Sequence, residues 1–145
     1  MIITDPYDPG LGYRMGKPQA RIVTISHYHP GHSYVQGIGG DPKQVKAPGE
    51  YEIAGVLITG IATFHDAVGG RERGKNTVYL MEIDGISVCH LGDLGHVPAP
   101  EQVEELGSID VLLVPVGGMS TIGATAAAET VRRLEPKVVI PLHYK

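Results

Sequence analysis

The 145-residue sequence predicts an α/β fold in which strands outnumber helices, and three observations support this. Short apolar segments rich in β-branched residues recur along the chain, bounded by glycine, proline or polar residues. Only two segments show helical patterning. Aromatic residues make up 6% of the chain and tryptophan is absent, so aliphatic side chains must fill the core, as in layered α/β folds. The length suits a single domain comprising residues 1–145.

The predicted strands are apolar segments that end at a turn residue or at a histidine. They cover residues 1–4, 20–26, 43–47, 51–55, 56–64, 77–83, 86–91, 110–116 and 137–142. Asp84 and Gly85 form the favoured two-residue turn of a hairpin between two of these strands.

Two segments carry the start and stop signals of helices. Residues 98–107 open with prolines and acidic residues and close on Gly107, and residues 125–135 place Arg132 and Arg133 near the carboxyl end.

The charge, hydropathy and cysteine content of the chain argue against several classes of protein. The formal net charge is −4 and the pI is about 5.9, which argues against nucleic acid as a partner because duplex binding needs a basic face. No apolar run is long enough to cross a membrane, and the first ten residues do not resemble a signal peptide. The single cysteine, Cys89, excludes an internal disulfide and suits a reducing compartment. We therefore expect a cytoplasmic protein that acts on a small molecule.

Polar residues follow several predicted strands at the point where each strand ends. They are His27, His29 and His32 after 20–26, His65 after 56–64, Asp93 after 86–91, and His143 after 137–142. Ligands of open α/β sheets bind at the carboxyl ends of strands. If these strands lie side by side and share a direction, the six residues converge on one edge.

Imidazoles and carboxylates are the ligands that suit zinc, iron or manganese, so the sequence predicts a metal site. His27 and His29 would point the same way in an extended segment and could hold one ion together. His32 follows a Pro-Gly turn and could face a second ion, and Asp93 has two oxygens with which to bridge the two. His90 lies within a strand and is interpreted as a core or surface residue.

The motifs resemble those of the metallo-β-lactamase fold superfamily. The segment HYHPGH is similar to its H-x-H-x-D-H motif, and TFHD, HLGDLGH and IPLHY resemble its later metal-binding segments in the same order. ITDPYDP is similar to the segment in which an Asp closes an early strand. LLVPVGG with the closing PLHY resembles a branch of small bacterial metal-dependent hydrolases that includes ascorbate-6-phosphate lactonase.

This resemblance implies an αββα sandwich with the metal site at one edge, between two sheets. It implies that His27, His29 and His65 bind a first ion, that His32 and His143 bind a second, that Asp93 bridges them, and that the buried Asp5 orients ligands. Zinc is the expected metal, as one or two ions, with manganese and iron as alternatives. Asp93 and His96, which share a loop, are the catalytic candidates.

The sequence departs from the family pattern at three places. Gly31 stands where the motif has Asp, so the second ion should bind more weakly, and a one-ion or empty site is possible. Gly123 stands where an acid is expected. The opening strand hairpin of the branch is missing before Asp5, which makes the expected sandwich a shortened one with an uncovered edge. Uncovered edges invite pairing, so we expect a homo-oligomer, most simply a two-fold dimer.

Two functions follow from this pattern. The first is a metal-dependent hydrolase in which a metal-bound hydroxide attacks an ester, lactone or phosphoester. Arg71, Arg73 and Lys75 lie shortly after His65 and are either a solvated loop or contacts for an anionic substrate. The second is a degenerate, non-catalytic member of the fold that serves as a binding or assembly module, which Gly31 favours.

Overall fold

The computed structural model describes residues 1–144, whose strands form two sheets. The small sheet contains three parallel strands, β1 (Ile2–Thr4), β2 (Ile22–Thr24) and β3 (Lys43–Val45). The large sheet contains, in spatial order, β4 (Gly49–Ile53), β5 (Val56–Phe64), β6 (Lys75–Ile83), β7 (Ile86–His90), β8 (Val111–Pro115) and β9 (Val138–Leu142). The helices are α1 (Pro100–Leu106) and α2 (Ala124–Leu134).

The direction of the strands in the large sheet decides where their polar ends meet. Strands β4 to β7 are antiparallel neighbours, and β7, β8 and β9 are parallel. Asp84 and Gly85 have φ angles of 51° and 79°, the left-handed conformation that a tight hairpin turn between β6 and β7 requires. The sheet is therefore mixed, yet β5, β7, β8 and β9 all end at the same edge.

Alternating side chains give the large sheet two buried faces. Tyr79 and Met81 on β6 point into the space between the sheets, where they pack with Ile22, Ile58 and Val45. Val78 and Leu80 point to the opposite face and pack with side chains of α1 and α2, including Leu106, Ala127 and Leu134. A strand buried on both faces needs a nearly continuous apolar sequence, and residues 78–81 have one.

The outer face of the small sheet is covered without an α-helix in residues 1–144. Two 3₁₀ turns, Pro9–Leu11 and Val35–Gly37, lie in the connections from β1 to β2 and from β2 to β3. Val23, Ile25 and Ile38 form the small cluster beneath these connections. The predicted sandwich is therefore present as two sheets with one helical layer. Within the described residues, neither helix is long and apolar enough to span a bilayer.

Each predicted element is confirmed within two residues at each end. The strand predicted at 20–26 loses two residues at each end as β2. The strand predicted at 43–47 ends two residues earlier as β3, and the one predicted at 51–55 lies two residues earlier as β4. Beyond Thr24 the chain bends. The histidines of the HYHPGH segment therefore follow a bent rather than an extended backbone.

Candidate metal centre

The carboxylate of Asp93 is surrounded by four imidazole rings at the edge where the strands end. Its Oδ2 lies 3.4 Å from Nε2 of His27, 3.3 Å from Nε2 of His32 and 3.3 Å from Nε2 of His65. Its Oδ1 lies 2.7 Å from Nε2 of His143. These four histidines follow β2, β5 and β9, and Asp93 follows β7. The structure thus brings five of the six predicted ligands together.

Packing between two loops places Asp93 beside His65. The backbone N–H of Asp93 donates to Oδ1 of the buried Asn76 at 3.0 Å, and the Asn76 amide donates to the Leu91 carbonyl at 3.0 Å. Gly95 donates its N–H to the Phe64 carbonyl at 2.9 Å. A Cβ at Gly95 would overlap the backbone of Asp66, so only glycine allows this close approach.

Hydrogen bonds behind the cluster determine which ring nitrogens face Asp93. The carboxylate of Asp5 accepts from the N–H of Ser26 at 2.7 Å, from its Oγ at 2.5 Å and from Nδ1 of His32 at 3.0 Å. Because the Ser26 hydroxyl donates to Asp5, it accepts from Nδ1 of His27, which lies 2.9 Å away. His27 and His32 therefore carry their protons on Nδ1 and keep the Nε2 lone pairs for the cluster.

The charges of the cluster follow from burial and from these contacts. Burial lowers the pKa of His27 to about 4, with the neighbouring His32 adding to the effect, so His27 is neutral at pH 7. Contact with Asp93 raises the pKa of both His65 and His143. Burial alone would raise the pKa of Asp93, but His143 and His65 hold it well below its ordinary value. Asp93 is thus an anion.

The donor set fits a divalent transition-metal ion. Among residues 1–144, three triads have ligand atoms within 4.8 Å of one another: His27/His65/Asp93, His32/Asp93/His143 and Asp5/His27/His32. Within residues 1–144, Nε2 of His27 is buried without a hydrogen-bond partner, as expected of a lone pair reserved for a cation. Several imidazoles and one ionised carboxylate are ligands typical of zinc, iron or manganese. Two triads share Asp93, which could therefore contact two ions.

His29 lies outside these triads, although its ring is nearly parallel to that of His27, with an interplanar angle of 24°. The chain after β2 is bent rather than extended, and the backbone N–H of Gly31 donates to Nδ1 of His29 at 3.1 Å. The exposed His29 ring lies 6.1 Å from the His27 ring, centroid to centroid. His29 as a ligand of the first ion therefore stays a prediction that this arrangement does not favour.

His96 is also absent from the triads. Its Nδ1 lies 2.9 Å from the Val97 carbonyl, and its Nε2 lies 3.1 Å from the backbone nitrogen of Phe64. With Nδ1 donating and Nε2 accepting, the ring joins the loop after β7 to the end of β5. Both ring nitrogens have hydrogen-bond partners that support the loop beside the site, and the catalytic role of His96 stays a prediction.

Sequence reasoning missed the supporting roles of Ser26 and Asn76. Neither belongs to a repeating pattern, and only their contacts across 21 and 17 residues, to Asp5 and Asp93, reveal them. His90 is buried opposite Tyr79, and its Nδ1 has no hydrogen-bond partner in the part of the chain that the structure describes. Burial lowers the pKa of His90.

Comparison with known proteins identifies the family. The sequence profile described as a beta-lactamase superfamily domain matches residues 1–143. The chain belongs to the beta-lactamase superfamily. A UPF0173 metal-dependent hydrolase of Pyrococcus abyssi is 36% identical over 172 aligned residues, which cover 99% of this chain and 76% of that protein. Another, from Thermococcus onnurineus, is 37% identical over 98 residues, which cover 66% of this chain and 44% of the relative.

Solved structures show the same fold. A candidate zinc-dependent hydrolase of the metallo-β-lactamase superfamily from Thermotoga maritima is 49% identical and superposes with a TM-score of 0.83, covering 99% of this chain and 66% of that one. A candidate metal-dependent hydrolase from Parabacteroides distasonis is 23% identical with a TM-score of 0.77, covering 99% and 74%. The fold is therefore the metallo-β-lactamase sandwich. The chain spans between about two fifths and three quarters of the length of these relatives.

Proposed function

We propose that this chain is a metal-dependent hydrolase whose centre consists of Asp93 and four histidines. The observation that carries the proposal is the arrangement of four Nε2 atoms within 3.4 Å of one ionised carboxylate. Relatives that share more than 30% identity are named metal-dependent hydrolases, which supports it. The substrate class is an ester, lactone or phosphoester.

The proposed ligands are His27, His32, His65, Asp93 and His143, with zinc as the expected metal and manganese or iron as alternatives. A divalent ion bound there would polarise a substrate oxygen and lower the pKa of a coordinated water to about 7. Asp93 is a weak base because its pKa is held below the ordinary range, so it serves as a ligand and anchor rather than as the proton acceptor. Asp5 and Ser26 keep two rings oriented.

The substrate side of this centre is next to His143. The side chain of His143 is 38% exposed, whereas those of His32 and His65 are about 10% exposed. A cavity of about 220 Å³ lies beside it, lined by Gly117, Met119, Ser120, Thr121 and Tyr144. A larger cleft of about 540 Å³ lies at the opposite ends of the strands, between Met1 and Asp84, and has no histidine. We assign the substrate to the smaller cavity because it adjoins the cluster.

We also propose a cytoplasmic homo-oligomer that acts on a small molecule. A net charge of −4 supports a small-molecule substrate over nucleic acid. Val138, Val139 and Ile140 on the edge strand β9 are 40% to 51% exposed, and a second copy would cover such an apolar surface. Light scattering at high micromolar concentration tests this, and a clean monomer would count against it.

Metal analysis and a substrate panel test the hydrolase proposal. The purified protein should retain one or two equivalents of zinc, manganese or iron, and it should hydrolyse members of a panel of chromogenic esters, lactones and phosphodiesters. Chelation should abolish turnover and added metal should restore it. Asp93→Asn should lose both metal and activity, with the exposed Asp84→Asn as control. A protein that binds metal tightly yet hydrolyses nothing on the panel would favour the non-catalytic module, which Gly31 also favours.

A further inference from the structure

Asp66 fixes the loop that follows β5. Its carboxylate is buried and accepts hydrogen bonds from four backbone N–H groups, those of Val68 at 2.9 Å, Gly70 at 2.7 Å, Glu72 at 3.0 Å and Arg73 at 2.8 Å. One side chain thus holds the loop from residue 68 to residue 73. Because the backbone N–H of Arg73 is one of the four donors, the position of this arginine is set relative to His65, the residue that precedes Asp66.

The guanidinium of Arg73 crosses to a different loop and retains free donors. Its Nη2 lies 3.5 Å from the carbonyl of Met119, and its Nη1 lies 4.0 Å from a carboxylate oxygen of Glu72. Both distances are at the outer limit for a polar contact. An arginine has five N–H donors, and this side chain is 45% exposed. Most of its hydrogen-bonding capacity is therefore available to a ligand.

Met119 links this arginine to the cavity beside the metal centre. Its carbonyl is the distant partner of Arg73, and the residue also lines the 220 Å³ cavity that includes His143. The volume corresponds to about seven water molecules at roughly 30 Å³ each, enough for one small functional group and a short carbon chain. Within residues 1–144, the lining side chains are neutral apart from the imidazole of His143.

We infer that Arg73 and the cavity lined by Met119 and Ser120 form a subsite for an anionic group of the substrate, a carboxylate or a phosphate separate from the bond that is cleaved. A planar guanidinium with unused donors recognises such oxyanions through paired hydrogen bonds. The hydroxyl of the exposed Ser120 would supply a further donor. This inference rests on the proposed function, since it names the substrate class of the same site.

The test compares two esters that differ in one charge. Hydrolysis of 4-nitrophenyl hemiglutarate, which carries a free carboxylate, is measured beside that of its neutral methyl ester, in the wild type, Arg73→Gln and Arg71→Gln. Arg71 lies in the same loop, where its Nε donates to the Val68 carbonyl at 2.9 Å, and it serves as the matched control. Within residues 1–144, the polar contacts of the Arg73 side chain are the two long ones, to Met119 and Glu72, so Arg73→Gln should leave the loop intact.

We expect Arg73→Gln to raise KM for the anionic ester about tenfold and to leave the neutral ester within twofold, as the loss of one charge-assisted contact predicts. Arg73→Lys should recover part of the loss, and Arg71→Gln should behave as the wild type. A phosphate-bearing ester in the same series decides between carboxylate and phosphate. Equal effects of Arg73→Gln on charged and neutral esters would overturn the inference.

A binding measurement separates this inference from the proposed function. Titration of glutarate and of inorganic phosphate into wild type and Arg73→Gln, followed by calorimetry, should show anion binding that weakens about tenfold in the variant. Such binding without hydrolysis of any ester would reject the hydrolase and keep the subsite. Hydrolysis of the neutral ester, with anion binding identical in both proteins, would keep the hydrolase and reject the subsite.

Discussion

Asp5 accepts a 3.0 Å hydrogen bond from Nδ1 of His32, and this contact determines which nitrogen of the ring faces Asp93. Asp5 itself has a φ angle of 45°, a conformation that aspartate and asparagine tolerate better than most residues. Burial would raise the pKa of Asp5, but its hydrogen bond with His32 and those with Ser26 keep it lowered. A buried anion thus aligns the ring from behind, and the lone pair of Nε2 points forward.

Asp5→Asn should weaken metal binding about 10- to 100-fold, the usual cost of losing the partner that orients a ligand. Asparagine suits the backbone angle but can present an N–H where His32 needs an acceptor, and the ring would then have to turn or change tautomer. Competition with a chelating dye measures the affinity. Asp8→Asn is the control, because the Asp8 carboxylate accepts from the N–H of Gly10 at an exposed turn, while the contacts of Asp8 with Pro30 and Leu11 are made by its backbone. Unchanged affinity in Asp5→Asn would contradict the assigned tautomer.

His65 and His29 should differ as ligands, although the motif treats them alike. Nε2 of His65 lies 3.3 Å from Asp93, whereas Nδ1 of His29 accepts from the N–H of Gly31. Loss of a partner that orients a ligand costs up to about 100-fold in metal affinity, and loss of a ligand itself should cost at least as much. His65→Ala should therefore lower metal affinity by at least about 100-fold, and His29→Ala by less than about threefold. Metal content after dialysis, with affinity from dye competition, checks both. Similar large losses in the two variants would show that His29 turns inward to bind the ion.

Stability of the metal-free protein should pass through a maximum near pH 6.5. The pKa values of His27 and His90 are lowered in the fold, so the native state binds fewer protons and stability rises with pH from about 4 to 6.5. For His27 this amounts to about 3 kcal/mol. The pKa values of His65 and His143 are raised in the fold. Their contribution to the free energy of unfolding is therefore complete below pH 6.5 and is lost as the pH rises through their pKa values in the folded state.

Thermal melting of the chelator-treated protein between pH 4.5 and 8.5 measures this profile. Saturating zinc should shift the maximum to higher pH, because binding displaces protons from His65 and His143. His27→Gln should reduce the rise in melting temperature between pH 4.5 and 6.5 and leave the fall above pH 6.5 unchanged. A melting temperature of the metal-free protein that rises steadily to pH 8.5 would show that the raised pKa values are absent.

The polar residues at strand ends could be predicted because their placement follows from topology alone. A histidine or aspartate after β5, β7 or β9 must lie at one edge once those strands share a direction. The partners that a side chain contacts within a loop could not be predicted, because these contacts join residues that are distant in sequence. His96 illustrates this: it shares a loop with Asp93, but its Nε2 accepts from the N–H of Phe64, 32 residues away. The hydrogen bond from the N–H of Gly31 to Nδ1 of His29 likewise could not be predicted from the sequence.

Gly31→Asp should increase the affinity for a second ion. Gly31 does not have a positive φ, so a side chain there is not strained by the backbone. A Cβ would lie 3.2 Å from Nδ1 of His29 and 3.5 Å from Cδ1 of Leu11, so the exposed His29 ring must shift by a few tenths of an ångström. The new carboxylate would add an anionic ligand close to His32, where the His32/Asp93/His143 triad has one carboxylate.

The parent protein should therefore retain close to one equivalent of metal after dialysis, and Gly31→Asp should retain closer to two. Calorimetric titration of zinc into both proteins should show two separate steps in the parent, the second at least tenfold weaker, and more similar steps in the variant. Gly31→Asn is the matched control, since it has the same size without the charge and should resemble the parent. Identical stoichiometry and affinity in parent and Gly31→Asp would mean that His32, Asp93 and His143 complete the second site unaided, or that no second ion binds.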